Sequence, residues 1–177
     1  MLKAAQTARL RKAEPRDAAA LAELAARLFK QAFGAQNTDE DMRAYLADAF
    51  SPEIQHAELS DPERVVWIAE DSLGAAVGYV MLERGGTAAG VVGERPAELQ
   101  RIYADRDWHG RGVGAALVAA CFDQARAWSC DVLWLAVWEA NARAIRFYEK
   151  SGFRAVGRKT FLLGSDVQFD LVMARAL

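Results

Sequence analysis

Six residues, His109-Gly110-Arg111-Gly112-Val113-Gly114, stand between a run that reads as a strand and one that reads as a long helix. At such a junction the first backbone N–H groups of the helix have no carbonyl partner, and the helix dipole adds positive potential, so an anion is favoured there. Glycines let the main chain approach a phosphate, while Arg111 can add positive charge at the rim. A pyrophosphate cradle is the chemistry this turn predicts; a tight strand-to-helix connection is the plainer use of the same residues. No Gly-Lys-Ser/Thr follows and GxGxxG is incomplete, so hydrolysis of a nucleoside triphosphate is not indicated. Cys121 and Cys130 have neither CxxC spacing nor a nearby histidine. No metal-ligand cluster or disulfide framework is therefore expected, and both read as free buried thiols.

The elements around this turn follow from apolar periodicity. Residues 9–13 read as a first strand, and Pro15 with Asp17 opens a helix that runs to about Phe33. Leu21, Leu24, Ala25, Leu28 and Phe29 give that helix one apolar stripe. Thr38 and Asp41 resemble a capping box for a second helix whose Met42, Tyr45, Leu46 and Ala49 share a face. Ser51 and Pro52 restart a short third helix. Residues 64–70 (RVVWIAE) and 75–83 (AAVGYVMLE) form a hairpin about Asp-Ser-Leu-Gly. Residues 85–96, with four glycines and no period, read as a mobile loop. A strand at 98–104, a helix at 112–128, a strand at 132–138 and a helix at 141–150 follow. Residues 154–163 and 167–173, separated by Gly164-Ser165-Asp166, close the chain as a strand pair. The whole, residues 1–177, reads as one mixed α/β domain in which helices cover a largely antiparallel sheet that includes parallel neighbours.

Composition narrows the classes. The 177 residues are 53% hydrophobic and 26% charged, a globular mixture rather than a disordered one. With 22 Lys plus Arg against 24 Asp plus Glu, the net charge of −2 disfavours binding to nucleic acid. No apolar run is long enough to span a membrane, and charges between Met1 and Arg11 occupy the place of a signal peptide's apolar stretch. The cytoplasm is the expected location.

The turn at His109–Gly114 resembles the phosphate turn Gln/Arg-x-x-Gly-x-Gly/Ala of the GNAT superfamily of acetyl-CoA-dependent N-acetyltransferases, with His109 in place of Gln or Arg. A second signature of that family, Asn-x-x-Ala-x-x-Phe-Tyr-x-x-x-Gly-Phe, is matched in full by Asn141, Ala144, Phe147, Tyr148, Gly152 and Phe153. The resemblance extends from the first strand through Asp170. It implies a central mixed, mostly antiparallel sheet of about seven strands flanked by helices. Within the superfamily the chain looks most like the bacterial spermidine/spermine N-acetyltransferases, on residues 37–59, 99–103 (LQRIY), 133–141 (LWLAVWEAN) and 161–173.

The resemblance implies acetyl-CoA as cosubstrate, no metal, and site residues that can be named. The backbone of His109, Gly110, Arg111, Gly112, Val113, Gly114 and Ala115 would receive the pyrophosphate. Ile102, Tyr103 and Ala104 would pair with pantetheine and polarise the acetyl carbonyl, a bulge freeing their N–H groups. Asn141 would touch the pantetheine arm, and equally reads as the cap of its helix. An ammonium must lose a proton before it attacks a thioester, and the leaving thiolate must gain one. Tyr148 is the expected acid and Glu98 the expected base; a solvated glutamate at a strand end is the other reading of Glu98. The glutamate that ribosomal-protein acetyltransferases carry in the fifth strand is replaced here by Ala136. His109 either gains charge beside the pyrophosphate or faces solvent.

For the acceptor, residues 37–63 hold eight acidic residues and one basic residue, Arg43, a local balance of −7 that could attract a polycation or be a solvated helical face. Phe29, Phe33, Tyr45 and Trp138 could wall an amine channel, or be core. His56 belongs to no constellation. The expected reaction is direct acetyl transfer to a primary amine of a small polyamine in a ternary complex. A protein N-terminus, a lysine or an aminoglycoside are alternative acceptors, and a CoA-binding regulator without turnover is the alternative of another class. Exposed strand edges make a homodimer reasonable.

Overall fold

Runs such as RVVWIAE and VLWLAVW are apolar at nearly every central position, so the strands they form must be covered on both faces. A computed structural model describes residues 8–35, 38–163 and 166–177. Its strands are β1 (Arg9–Lys12), β2 (Arg64–Glu70), β3 (Ala76–Arg84), β4 (Pro96–Ala104), β5 (Val132–Trp138), β6 (Arg154–Leu163) and β7 (Asp166–Ala176). Its helices are α1 (Ala18–Phe33), α2 (Asp39–Ala49), α3 (Pro52–Ser60), α4 (Val113–Ala127) and α5 (Ala142–Lys150). The turn expected at Gly164-Ser165, and the reading of the first seven residues, lie outside the described residues.

The strands form one seven-stranded sheet in the order β1-β2-β3-β4-β5-β7-β6. Every neighbouring pair is antiparallel except β4 and β5, the mixed pattern expected of this chain. Side chains alternate between two cores. Val66 and Ile68 of β2 face α1, with its Leu21, Leu24, Leu28 and Phe29, whereas Trp67 and Ala69 face the α4 side, where Leu117, Cys121 and Phe122 lie. The caps hold as expected: Thr38 and Ser51 accept the N–H groups of Asp41 and Ile54 at 3.1 and 3.2 Å.

Two features of β4 position everything that follows. Met81 pairs with Arg101 but Leu82 pairs with Leu99, so Gln100 is an extra, bulged residue. At the same place the parallel pairing to β5 stops, its last register pair being Leu99 with Leu135. Beyond it β5 continues with β7, through Ala136, Val137 and Trp138, while β4 continues with β3 alone. The two central strands therefore splay apart, and the groups of β4 that would have bonded β5 border an opening.

The glycine-rich loop after β3 is not the mobile segment that its composition suggests. Gly85 N–H bonds Pro96 O at 2.8 Å, and the Asp131 carboxylate accepts the N–H groups of Glu94 and Arg95 at 2.8 and 3.0 Å. Glycine here serves close approach rather than freedom. A Cβ on Gly90, at φ +89°, would fall 2.0 Å from the Val156 carbonyl oxygen of β6. Gly90→Ala should accordingly lower unfolding stability by about 2–4 kcal/mol in urea titration, summing a left-handed alanine and an overpacked contact. A loss under about 0.5 kcal/mol would show that the loop can move away without cost.

Candidate active site

The opening between β4 and β5 is the floor of a cleft of about 870 Å³, walled by α1, α2, α5 and the start of α4. One end is built by the glycine turn. Gly112 caps α4 at φ 84°, a conformation that costs an L side chain about 1–2 kcal/mol. The first helical bond of α4 is Ala116 N–H to Gly112 O at 2.9 Å, so the N–H groups of Val113, Gly114 and Ala115 precede the ladder. Gly110, Gly112, Gly114 and Ala115 line the cleft, whereas the Val113 side chain is buried in the core and contributes backbone alone.

The charges at this end differ from those the sequence suggests. The Arg111 guanidinium lies 5.4 Å from the Trp108 ring centre, and Arg111 is not among the cleft-lining residues. His109 lines the cleft, but its Nε2–H donates to Ala104 O at 2.9 Å. Burial, with Arg143 adding to it, holds the imidazole below its ordinary value, which favours the neutral ring. Its work is to fasten the turn to the end of β4. The cations that line the cleft at this end are Arg106, Arg143, Arg146 and Lys150. Spacings of three and four place the last three on one face of α5, a basic stripe that was visible in the sequence and not used.

Asn141 takes the capping role: its Oδ1 accepts the Ala144 N–H at 3.1 Å. The cap leaves its amide NH₂ without a partner among the described residues, on a residue that lines the cleft. One face of α5 further on, Tyr148 lies in the last turn, 7% exposed, with its ring 5.3 and 5.9 Å from those of Phe147 and Phe153. Its hydroxyl has no hydrogen-bond partner among the described residues, though the residue lines the cleft. Burial, and secondarily the Cys121 thiol, push the phenol well above its ordinary range, so it is a proton donor and never a phenolate at neutral pH.

Ile102, Tyr103 and Ala104 all line the cleft on the unpaired side of β4, although the bulge that frees them is at Gln100. Glu98 lines it too, with a side chain only 17% exposed, so it is not a solvated strand-end residue. Burial pushes its carboxyl up against the opposing pull of Lys159, whose Nζ stands 4.0 Å from Oε1.

The acidic stretch edges the cleft, but none of its carboxylates lines it. Among its carboxylates, Glu58 is buried and bonded to Arg101 at 2.7 Å and to Arg64 at 3.4 Å, Asp61 meets Arg64 at 3.5 Å, and Glu63 pairs with Arg84 at 2.5 Å. Strand arginines thus pair with three of the eight carboxylates counted along this stretch. What residues 38–63 give the cleft is aromatic, Tyr45 and Phe50, beside Phe29 and Phe33 of α1 and Trp138 of β5. Phe29 is at the same time core, 2% exposed. Lys159 and Asp170, neither singled out by the sequence, complete this end. Cys121 and Cys130 are free and buried, and neither lines the cleft. Among the described residues no group of three or more His, Cys, Asp or Glu is placed to hold a metal, and no helix is long and apolar enough to cross a membrane.

The family model described as Acetyltransferase (GNAT) family matches residues 21–153. The chain is 38% identical over 162 residues to an uncharacterized N-acetyltransferase of Mycobacterium tuberculosis, covering 91% of this chain and 98% of that one. A shorter likeness, 31% over 64 residues, 36% of this chain and 42% of the other, is to the spermine/spermidine N(1)-acetyltransferase of Bacillus subtilis. Among solved structures, the PaiA N-acetyltransferase of Thermoplasma acidophilum in complex with coenzyme A superposes with a TM-score of 0.76 at 19% identity, over 97% of this chain and 99% of that one.

Proposed function

The chain belongs to the acetyltransferase (GNAT) family, and we propose that it transfers the acetyl group of acetyl-CoA to a primary amine of a small polyamine, by direct attack with both substrates bound. The observation that carries this reading is the splay of β4 from β5 between two chemically different ends: one with free helix N–H groups and a basic stripe, the other with carboxylates among aromatic rings. The residues present fit acetyl-CoA. Val113, Gly114 and Ala115 offer N–H groups to a pyrophosphate at the α4 dipole, and Arg143, Arg146 and Lys150 supply countercharge. Asn141 keeps an amide NH₂ for the pantetheine arm. The unpaired edge of residues 102–104 offers donors to the acetyl carbonyl oxygen as it gains charge.

The proton bookkeeping then falls to two side chains. Glu98, directly or through a water, takes a proton from the acceptor ammonium; the amine nitrogen forms its bond to the acetyl carbon as the carbon–sulfur bond breaks, and the extra proton then left on the nitrogen passes to solvent. Tyr148 gives its proton to the departing thiolate and regains one from solvent. No cysteine is placed for a covalent acyl-enzyme, which favours a single direct transfer. Support for a polyamine acceptor comes from Glu98 and Asp170 at the aromatic end and from the partial likeness to the Bacillus enzyme.

Thiol release from acetyl-CoA, measured against spermidine, spermine, putrescine, N-terminal peptides and an aminoglycoside with product masses, tests the reading. Selective acetylation of spermidine or spermine is the expected result. Turnover of peptide or drug alone would replace the acceptor, and acetyl-CoA binding without turnover on any of them would favour the regulator. The pH profile offers a separate check. Because the Glu98 carboxyl is raised, kcat/KM should fall as pH drops through a value above the ordinary carboxylate range of about 4.3, where the base becomes protonated. Glu98→Gln should lower kcat/KM by about 10²-fold and remove that acid limb. A limb that persists unchanged in the variant would assign it to another group.

A further inference from the structure

Asp170 is a residue for which the steps above find no use, and its surroundings are unusual. It is 8% exposed, in a strand otherwise apolar at that point, and it lines the cleft. A carboxylate so buried ordinarily has an ion-pair or hydrogen-bond partner. Among the described residues its side chain has neither a hydrogen bond nor a cation within 4.0 Å. The natural partner would be Lys159, directly opposite in the β6–β7 register. Lys159 is instead turned to Glu98, at 4.0 Å, and over the Trp134 ring, at 5.4 Å. Arg101, the other cation of this end, is bonded to Glu58 and lies over Phe50. The protein has thus placed a carboxylate in the cleft wall and directed both neighbouring cations elsewhere.

What surrounds Asp170 is suited to a cation from outside. Trp138 is its register partner on β5, Tyr45 of α2 is close enough for the Asp170 charge to bear on its phenol, and Phe33 stacks edge-on to Trp138 at 6.3 Å. Aromatic faces beside a carboxylate stabilise an ammonium twice, through ring quadrupoles and through the ion pair. A phosphate or carboxylate would be repelled, and a plain alkyl group would leave the buried charge uncompensated.

We propose that Asp170, with the faces of Tyr45 and Trp138, holds the second, non-reacting ammonium of a di- or polyamine acceptor while the reacting nitrogen is presented to Glu98. This rests on the acetyltransferase reading and adds to it a specificity residue: the enzyme selects for two positive charges, and the carboxylates of α2 and α3, which do not line the cleft, take no part. The site is a subsite of the same cleft, reached only by acceptors long enough to carry a second charge beyond the reacting amine.

The test compares putrescine and spermidine with 1-aminobutane, which has the chain of putrescine and one charge fewer. The parent should show a kcat/KM for the diamine at least tenfold above that for 1-aminobutane. Asp170→Asn should shrink that ratio by about 10- to 100-fold, chiefly through KM, as expected for a lost charge-assisted contact. Asp170→Glu should restore part of it. Lys159→Gln, which removes the competing cation, should move the spermidine KM the other way. Titration calorimetry of spermidine into the CoA-saturated protein reads the same subsite without turnover, and should weaken by a similar factor in Asp170→Asn. A parent that acetylates amines with no preference for the diamine, or an Asp170→Asn protein that keeps the preference, would overturn the proposal and leave the acetyltransferase reading intact. Absence of thiol release with every amine, together with absence of spermidine binding, would overturn both.

Discussion

Tyr148→Phe should bind acetyl-CoA with the parent's affinity and lose about 10²-fold or more of kcat. The change removes one oxygen, and nothing in the fold depends on that oxygen: the ring packs on Phe147 and Phe153 while the hydroxyl has no hydrogen-bond partner among the described residues. Because the residue lines the cleft, a hydroxyl that the packing does not need is available to a bound thioester. Burial keeps the proton on the phenol, so the group is always in the donor form when a thiolate is expelled. The variant's thermal midpoint should stay level or rise while turnover collapses, and that pairing separates an acid from a packing residue. Calorimetry with acetyl-CoA and steady-state thiol release measure the two halves. An unchanged kcat would remove Tyr148 as the essential acid, and a weakened acetyl-CoA affinity would make its role one of binding.

Most of the fold was legible because the signals were local. Thr38, Ser51 and Pro52 mark helix starts whatever the rest of the chain does, and the alternation or solidity of an apolar run decides its strand. The cradle was legible for the same reason, since a glycine turn between strand and helix exposes N–H groups by its own geometry. What was not legible was which group each side chain would pair with. The loop at 85–96 was expected to move because glycine permits motion, but the Asp131 carboxylate bonds two of its N–H groups and Gly90 packs closely on Val156. The acidic run was open between attracting a polycation and being a solvated face, because the arginines at 64, 84 and 101 that pair with part of it lie beyond it in the chain. Arg111 was expected at the rim of the anion site and His109 was open between that site and solvent; each side chain instead meets a neighbour, Trp108 and Ala104. Asp170 carried no local signal at all, because one carboxylate in a strand is informative only once its opposite number, Lys159, is known to point elsewhere.

The largest loss of stability should come from Glu58→Ala. Glu58 joins α3 to the sheet: its carboxylate, 8% exposed, is shared between Arg101 of β4 at 2.7 Å and Arg64 of β2 at 3.4 Å. Removing it leaves two guanidinium groups short of a partner, and the Nε of Arg64 already lacks one. Breaking such a buried set from one side costs about 3–5 kcal/mol, well above the value of an exposed pair, because the remaining charge stays desolvated. The same reasoning makes a prediction of opposite sign for the pair. Glu58→Met combined with Arg101→Met removes both charges, fills similar volume, and should recover most of the stability lost by either change alone. Urea unfolding of the two single variants and the double variant closes the cycle. The contact also lies one residue beyond the Gln100 bulge, where β4 parts from β5. If α3 clamps that junction, the Glu58→Ala protein should raise the acceptor KM more than the acetyl-CoA KM, since the α4 cradle is anchored separately by His109 and Ala104. Equal losses for both substrates would show that the ion set stabilises the sheet as a whole and does not shape the acceptor end.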